Sequence, residues 1–277
     1  MEKLFTLNTH SWIENNPEDK LEKLIDFIIR EEPNYFCLQE INQQITSPIV
    51  KPDQFYVEAK GNNFPIKADN YALLIAEKLA SKGLVYYWSW AVNHVGYGKY
   101  DEGVAIFSKE KLTDVESILV SQTDDYEDYH TRKVLVGNTS NKAIYSVHFS
   151  WWVDDKGEKC FEKEWDIVLK NIEARRSLGY QIIIMGDFNN AAHIKDEGYQ
   201  LIKASAPFLK DTFINSKSVV GQFTVLNEID GWDGNNQSLR IDYVFVDENV
   251  EVDKHMVIFD NVNEEIISDH FGIAIEL

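Results

Sequence analysis

Asp187 and Asn189 stand two residues apart at the end of the apolar run IIIMGDFNN, residues 182–190. On an extended backbone, residues two apart point the same way, so a carboxylate and a carboxamide would leave one rigid edge side by side. Gly186 lets the chain turn where the strand meets solvent. Taken alone, the pair reads equally well as a turn, because Asp and Asn both hydrogen-bond their own backbone. The same event recurs, however. LFTLN ends at Asn8, YFCLQE at Glu40 and IYSVH at His148, SLRIDYVF carries Asp242, and ISDHFGIAI opens on Asp269 and His270. Two histidines, two asparagines and several carboxylates converging on strand ends would make a metal and general-base site for hydrolysing a phosphate ester.

The elements that must position these residues are legible in the periodicity. Alternation predicts a first strand over 3–8, and apolar residues at helical spacing after Pro17 predict a helix over 17–30. A strand over 34–40 follows, then a loop over 42–68 of the kind that carries specificity. A helix over 71–82 closes at Gly83. Strands are expected at 84–92, 103–108, 115–121, 132–136 and 143–149, and an amphipathic helix over 161–178 precedes the GDFN run. A short helix over 196–204 and strands at 241–246, 252–259 and 271–277 complete the chain. No repeat or low-complexity linker divides it, and the mixture suits an α/β architecture with helices outside packed sheets.

Composition narrows the partners. The 277 residues are 44% hydrophobic, enough for a sizeable core, and the formal net charge is -19. Proteins that grip nucleic acid neutralise phosphates with lysine and arginine, so this chain would repel a long polyanion unless a local basic groove survives. Two cysteines, Cys37 and Cys160, stand in no ligand spacing, which argues against a disulfide framework or structural zinc. Cys37 reads as a small buried hydrophobe. No stretch approaches the ~18 apolar residues of a membrane span, and a cytoplasmic location is the expectation.

The ordered set N, QE, EGVAIFS, H, GDFN, RIDYVF and SDH resembles the endonuclease/exonuclease/phosphatase superfamily, from Asn8 to His270. The resemblance implies a four-layered α/β/β/α sandwich of the deoxyribonuclease I kind, with 1–277 as one domain because the site draws on both ends of the chain. By the same resemblance Glu40 is the principal Mg²⁺ ligand, with Mn²⁺ an alternative, and Asn8 and Asp269 complete that site. Oxygen ligands and retained waters suit magnesium. Asp187 is implied to orient and deprotonate the attacking water, Asn189 and His148 to hold phosphoryl oxygens, and Glu102 to orient His148. Asp242 and His270 form an acid–imidazole pair, with His270 either a base or a phosphate clamp. Arg132, in HTRKVLVG, stands where the family places a phosphate-binding cation.

Aromatic residues bear on which ester is cleaved. Trp88, Trp90 and Trp165 read as core. Trp12, Trp151, Trp152 and Trp232 follow or precede the polar strand ends and read equally as the wall of a substrate pocket or as core packing. Within the superfamily, NTHSW, HVGYGKYDEG and HFSWW are similar to the bacterial maltose 6′-phosphate phosphatase group. That similarity implies a phosphorylated sugar as substrate and adds His10 and Lys99 as pocket residues. The alternatives are a metal-dependent endo- or exonuclease acting on DNA and, behind it, a sphingomyelinase-like phosphodiesterase. A catalytically dead binding protein would have lost a metal ligand or base, and the matched motifs show no such loss.

Overall fold

The structure, a computed structural model, describes residues 1–229, 231, 232 and 234–277. Its two sheets have inner strands that are apolar on both faces. The first contains β1 (Lys3–Asn8), β2 (Tyr35–Gln44), β3 (Tyr87–Gly96), β4 (Tyr100–Ser108), β10 (Ser216–Val220), β12 (Val252–Ile258) and β13 (Gly272–Glu276), in the order β10-β12-β13-β1-β2-β4-β3. The second contains β5 (Thr113–Leu119), β6 (Lys133–Asn138), β7 (Lys142–His148), β8 (Gln181–Asp187), β9 (Leu209–Asp211) and β11 (Asp242–Asp247), in the order β5-β6-β7-β8-β11-β9.

The period of two sorts each strand between layers. Leu4, Tyr35, Cys37, Ile106, Ile144, Ile183, Met185 and Val244 meet in one cluster between the sheets. Their sequence neighbours Phe5, Phe36, Leu38 and Phe107 face the helices α1 (Pro17–Glu31) and α2 (Tyr71–Ser81). On the other side Tyr145, Ile182, Ile184, Tyr243 and Phe245 face α3 (Cys160–Ser177) and α4 (Gly198–Ser205). The result is the α/β/β/α sandwich expected from the sequence. Trp88, Trp90 and Trp165 lie in the helix-facing layers and Cys37 lies between the sheets, all at most 1% exposed.

Parity has a further effect at the strand ends. Asn8 shares the phase of Leu4, His148 that of Ile144, Asp187 that of Ile183 and Met185, and Asp242 that of Val244. All four therefore point into the seam between the sheets. Parallel pairing sets His148 beside Asp187, and antiparallel pairing sets Asp242 on its other side. Below them, Thr6 Oγ1 donates to Gln39 Oε1 at 3.2 Å and Gln39 Nε2 donates to Ser146 Oγ at 3.1 Å, joining the sheets through a buried polar clasp.

Several elements differ from the sequence expectation. Strand β2 runs on to Gln44 and β4 begins at Tyr100. Both changes follow from antiparallel β2–β4 pairing that sets Asn42, Gln43 and Gln44 opposite Glu102, Asp101 and Tyr100. β9, β10 and the helical turn α5 (Thr212–Asn215) have no counterpart in the expectation. They are three to five residues long, and β10 is mostly exposed, too short for a periodic signal.

Two predictions follow from this packing. Gly186 has φ +143°, and a Cβ there would lie 2.1 Å from the Val147 carbonyl oxygen. Gly186→Ala should lose about 3 kcal/mol or more in denaturant unfolding, because the contact is backbone and has no rotamer to yield. His255, on β12, is 1% exposed and burial pushes it down to about 4. The neutral ring thus contributes stability that is present above the ordinary imidazole value near 6.5 and is lost as pH falls toward 4. The wild type should lose on the order of 3 kcal/mol more than His255→Gln over that window, measured as paired unfolding curves.

Candidate active site

Three site residues depart from regular strand geometry. Glu40 would face the helices by parity, but the β2–β4 register shifts between Leu38 and Ile41 and Glu40 takes φ 52°. The bulge re-aims the carboxylate toward the seam. There its Oε1 accepts from Asn8 Nδ2 at 2.8 Å. Asn189 at φ 49° ends β8 by folding its N–H back onto Asp187 Oδ1 at 2.8 Å. GDFN is therefore a turn, and the turn is what presents the two side chains at the strand end. His10, φ 49°, turns the chain after β1. Of the left-handed non-glycine residues along the chain, these three present side chains at this edge.

Asp187 is 1% exposed and is the hub. Its Oδ2 accepts from Asn8 Nδ2 at 3.2 Å and lies 3.7 Å from both His148 Nε2 and His270 Nε2. The imidazole separations exceed direct hydrogen-bond reach and suit a bridging water or phosphoryl oxygen. Burial and the neighbouring Asp242 push Asp187 up to about 7, partly offset by His270. His270 Nδ1 lies 2.9 Å from Asp242 Oδ2. Burial opposes charge on that ring, yet Asp242 and Asp187 hold it well above the ordinary imidazole value. Burial drives His148 the other way, well below that value, and the positive Arg132 and neighbouring imidazoles reinforce the effect. One imidazole is thus set up to carry a proton and the other to stay neutral.

The charge on the other side suits a cation. Burial and the carboxylate of Glu102 push Glu40 up to about 8. Asp269 lies beside it, and His10 Nδ1 is 3.0 Å from Glu14 Oε1 and 3.8 Å from Asp269 Oδ1. Burial lowers His10, but Glu14, Glu40 and Asp269 raise it to about 9. His10, Glu14 and Asp269 offer ligand atoms within 4.8 Å of one another, as do Asp187, Asp242 and His270. Crowded oxygen donors with one carboxylate forced toward its neutral form fit a hard divalent ion, which would relieve that repulsion.

A cavity of about 850 Å³ opens over Glu40, Asp187, Asn189, His148 and His270. Trp151, Trp152 and Trp232 form part of its wall and Arg132 reaches it. Trp12 does not line it: its indole donates to the Asp69 carbonyl and its ring packs edge-on against Tyr71, 5.1 Å away. Lys99 is exposed on the β3–β4 turn with its ammonium over Tyr100, outside the lining. The loop over 42–68 also contributes no lining residue. His10 lies behind Glu40, with its Nε2 3.3 Å from Tyr97 Oη, and only Tyr97 lines the cavity.

Glu102 is the clearest departure. It does not orient His148, because His94 Nε2 lies 3.3 Å from Glu102 Oε1 and takes that place. The hydrogen bond and charge of His94 overcome burial and keep Glu102 below the ordinary carboxylate range. His148 Nδ1 is left buried without a partner among the described residues. His94 Nδ1 lies 3.1 Å from Arg132 Nη1, so a His94–Glu102–Arg132 group flanks the catalytic end of the cavity. His94 ends the run YWSWAVNH as His148 ends IYSVH, and the strand-end rule would have found it. A register shift between Val92 and His94 carries it into the seam.

Substituting Asp187 by Asn should leave the fold and its melting temperature nearly unchanged, since the Asn189 N–H retains an oxygen acceptor. Turnover of a phosphate ester should fall by about 10²–10⁴-fold. Near-normal turnover would remove Asp187 from the chemistry.

The whole chain matches known proteins in this architecture. The model of the Endonuclease/Exonuclease/phosphatase family matches residues 10–270. An endonuclease/exonuclease/phosphatase family protein from Leptotrichia buccalis is 28% identical, with TM-score 0.82 over 100% of this chain and 99% of that one. A mannosyl-6-phosphatase from Bacteroides thetaiotaomicron is 16% identical, with TM-score 0.64 over 100% and 99% of the two chains. A 3′ phosphatase from Neisseria, solved with a product DNA hairpin, is 19% identical, with TM-score 0.63 over the same shares. The last two likenesses are of fold. No curated protein matches significantly. Among the described residues no helix is long and apolar enough to cross a membrane. With 10–270 matched and the two-sheet sandwich in place, the chain belongs to the endonuclease/exonuclease/phosphatase family, whose members hydrolyse phosphate esters.

Proposed function

We propose that residues 1–277 form one domain, a cytoplasmic Mg²⁺-dependent phosphomonoesterase acting on a small phosphorylated sugar of the maltose 6′-phosphate kind. The observation that carries this reading is the charge of the cavity. Among its described lining residues Arg132 alone is permanently positive, against the carboxylates of Glu40, Glu102, Asp154, Asp155, Asp187 and Glu197. A duplex backbone needs a track of cations, and this surface offers the opposite. Trp151, Trp152 and Trp232 supply flat apolar faces suited to a sugar ring. The solved mannosyl-6-phosphatase shares the fold and supports a sugar phosphate, whereas the DNA-bound 3′ phosphatase shows that the fold also admits nucleic acid.

In the mechanism, Asp187 orients a water and takes its proton, and it does so in a buried setting where its affinity for a proton is already raised. Asn189 and neutral His148 hold phosphoryl oxygens from the second sheet. Asp242 fixes the ring of His270 through Nδ1, leaving Nε2 to face Asp187 and the phosphoryl group. Glu40, Asn8 and Asp269 would hold the metal. Bound Mg²⁺ supplies charge neutralisation for the phosphoryl group and the departing sugar oxygen. Arg132, kept 3% exposed and bonded through Nη1 to the Tyr129 carbonyl at 2.6 Å, adds a fixed positive charge beside the site.

Phosphate release should be measured over sugar phosphates, nucleotides and abasic DNA, with and without Mg²⁺. Release from a phosphorylated sugar is expected, abolished by EDTA and restored by excess Mg²⁺, with no salt-sensitive binding of DNA. Release from DNA alone would overturn the reading.

A further inference from the structure

Trp232 stands in the cavity wall, but its indole nitrogen is occupied elsewhere: Nε1 donates to Asn189 Oδ1 at 3.0 Å. On the other side of the same carboxamide, Asn189 Nδ2 donates to the Phe149 carbonyl oxygen at 3.0 Å. An indole N–H can only donate and a carbonyl oxygen can only accept. Together they fix which end of the amide is oxygen and which is nitrogen. The amide nitrogen carries two hydrogens, and Phe149 takes one. The second belongs to a side chain that is 5% exposed and lines the cavity beside Asp187.

The indole is itself held. Trp232 packs against a small apolar cluster containing Ala191, Val225, Leu239 and Ile241. Its backbone N–H donates to the Ile229 carbonyl at 3.0 Å. The preceding Gly231 has φ +77° and sits so close to Trp151 that a Cβ would fall 2.2 Å from the ring. Trp151, Gly231, Trp232 and Asn189 thus form a chain of contacts from the aromatic wall to the strand end that carries Asp187.

We propose that Trp232 is a positioning residue: its indole N–H holds the Asn189 carboxamide in the one orientation that offers an N–H to the phosphoryl group. This rests on Asn189 binding the phosphoryl group, as set out above. It goes beyond a wall role, because a wall needs the ring and a positioning residue needs the nitrogen.

The two are separated by Trp232→Phe and by replacement of Trp232 with β-(3-benzothienyl)alanine, which keeps the two-ring shape and lacks the donor. Turnover is measured with Mg²⁺ on maltose 6′-phosphate or, if the release screen ranks it first, on abasic DNA. The inference therefore survives a change of substrate. Both variants should lose about tenfold or more in kcat with KM within about twofold, and neither should lose further in an Asn189→Ala background. The benzothienyl variant guards against a misfolded Phe variant, and equal melting temperatures check the fold. Unchanged kcat in the benzothienyl variant, a loss confined to KM, additive losses with Asn189→Ala, or wild-type turnover by Asn189→Ala would each overturn it.

Discussion

The constraint on which the rest depends is that the inner strands of both sheets are buried on both faces, so each of their residues has a fixed side to take. Ile182 and Ile184 face the helices, and Ile183 and Met185 face the opposite sheet. Nothing in that alternation concerns catalysis, yet continuing it two residues further delivers Asp187 to the seam. The same continuation places Asn8, His148 and Asp242 there from three other strands. Slipping any of these strands by one residue would expel both its core side chains and its polar terminus. Packing and site are held by a single register.

Polar groups brought together in this way would be costly to bury unless they satisfied one another. Asn8 bridges Glu40 and Asp187, Asp242 bonds His270, and the Asn189 amide is taken from both ends. The exceptions are informative. Asp242 Oδ1 and His148 Nδ1 have no partner among the described residues. Glu40 and Asp187 are both driven toward their neutral forms. A site built for a phosphoryl group and a cation carries such unbalanced charge before either arrives.

Strand identity, the four layers and the polar strand ends were legible because each rests on local alternation, which the sequence displays directly. Irregularities were not. Glu40 and His94 reach the seam only through register shifts that break the alternation, so periodicity would have placed both on the wrong face. For Glu40 the family motif points to the same strand end that the bulge re-aims, whereas no motif singles out His94, and the resemblance pairs its partner Glu102 with His148. Trp12 is suggested by nearness along the chain to Asn8, and Lys99 by the similarity of HVGYGKYDEG. Their positions depend on how a 3₁₀ turn and a hairpin tip bend, which no run of residues announces. The loop over 42–68 looked like a specificity element, but its Lys67 is tied to Asp101 at 2.6 Å, fastening it to β4 away from the cavity.

The clasp of Thr6, Gln39 and Ser146 has a consequence for the site above it. Buried and spanning the sheets, it ties β1 and β2 to β7 two residues or fewer below Asn8, Glu40 and His148. The spacing between the two halves of the site is thus set in the joint between the sheets, by groups that line no part of the cavity.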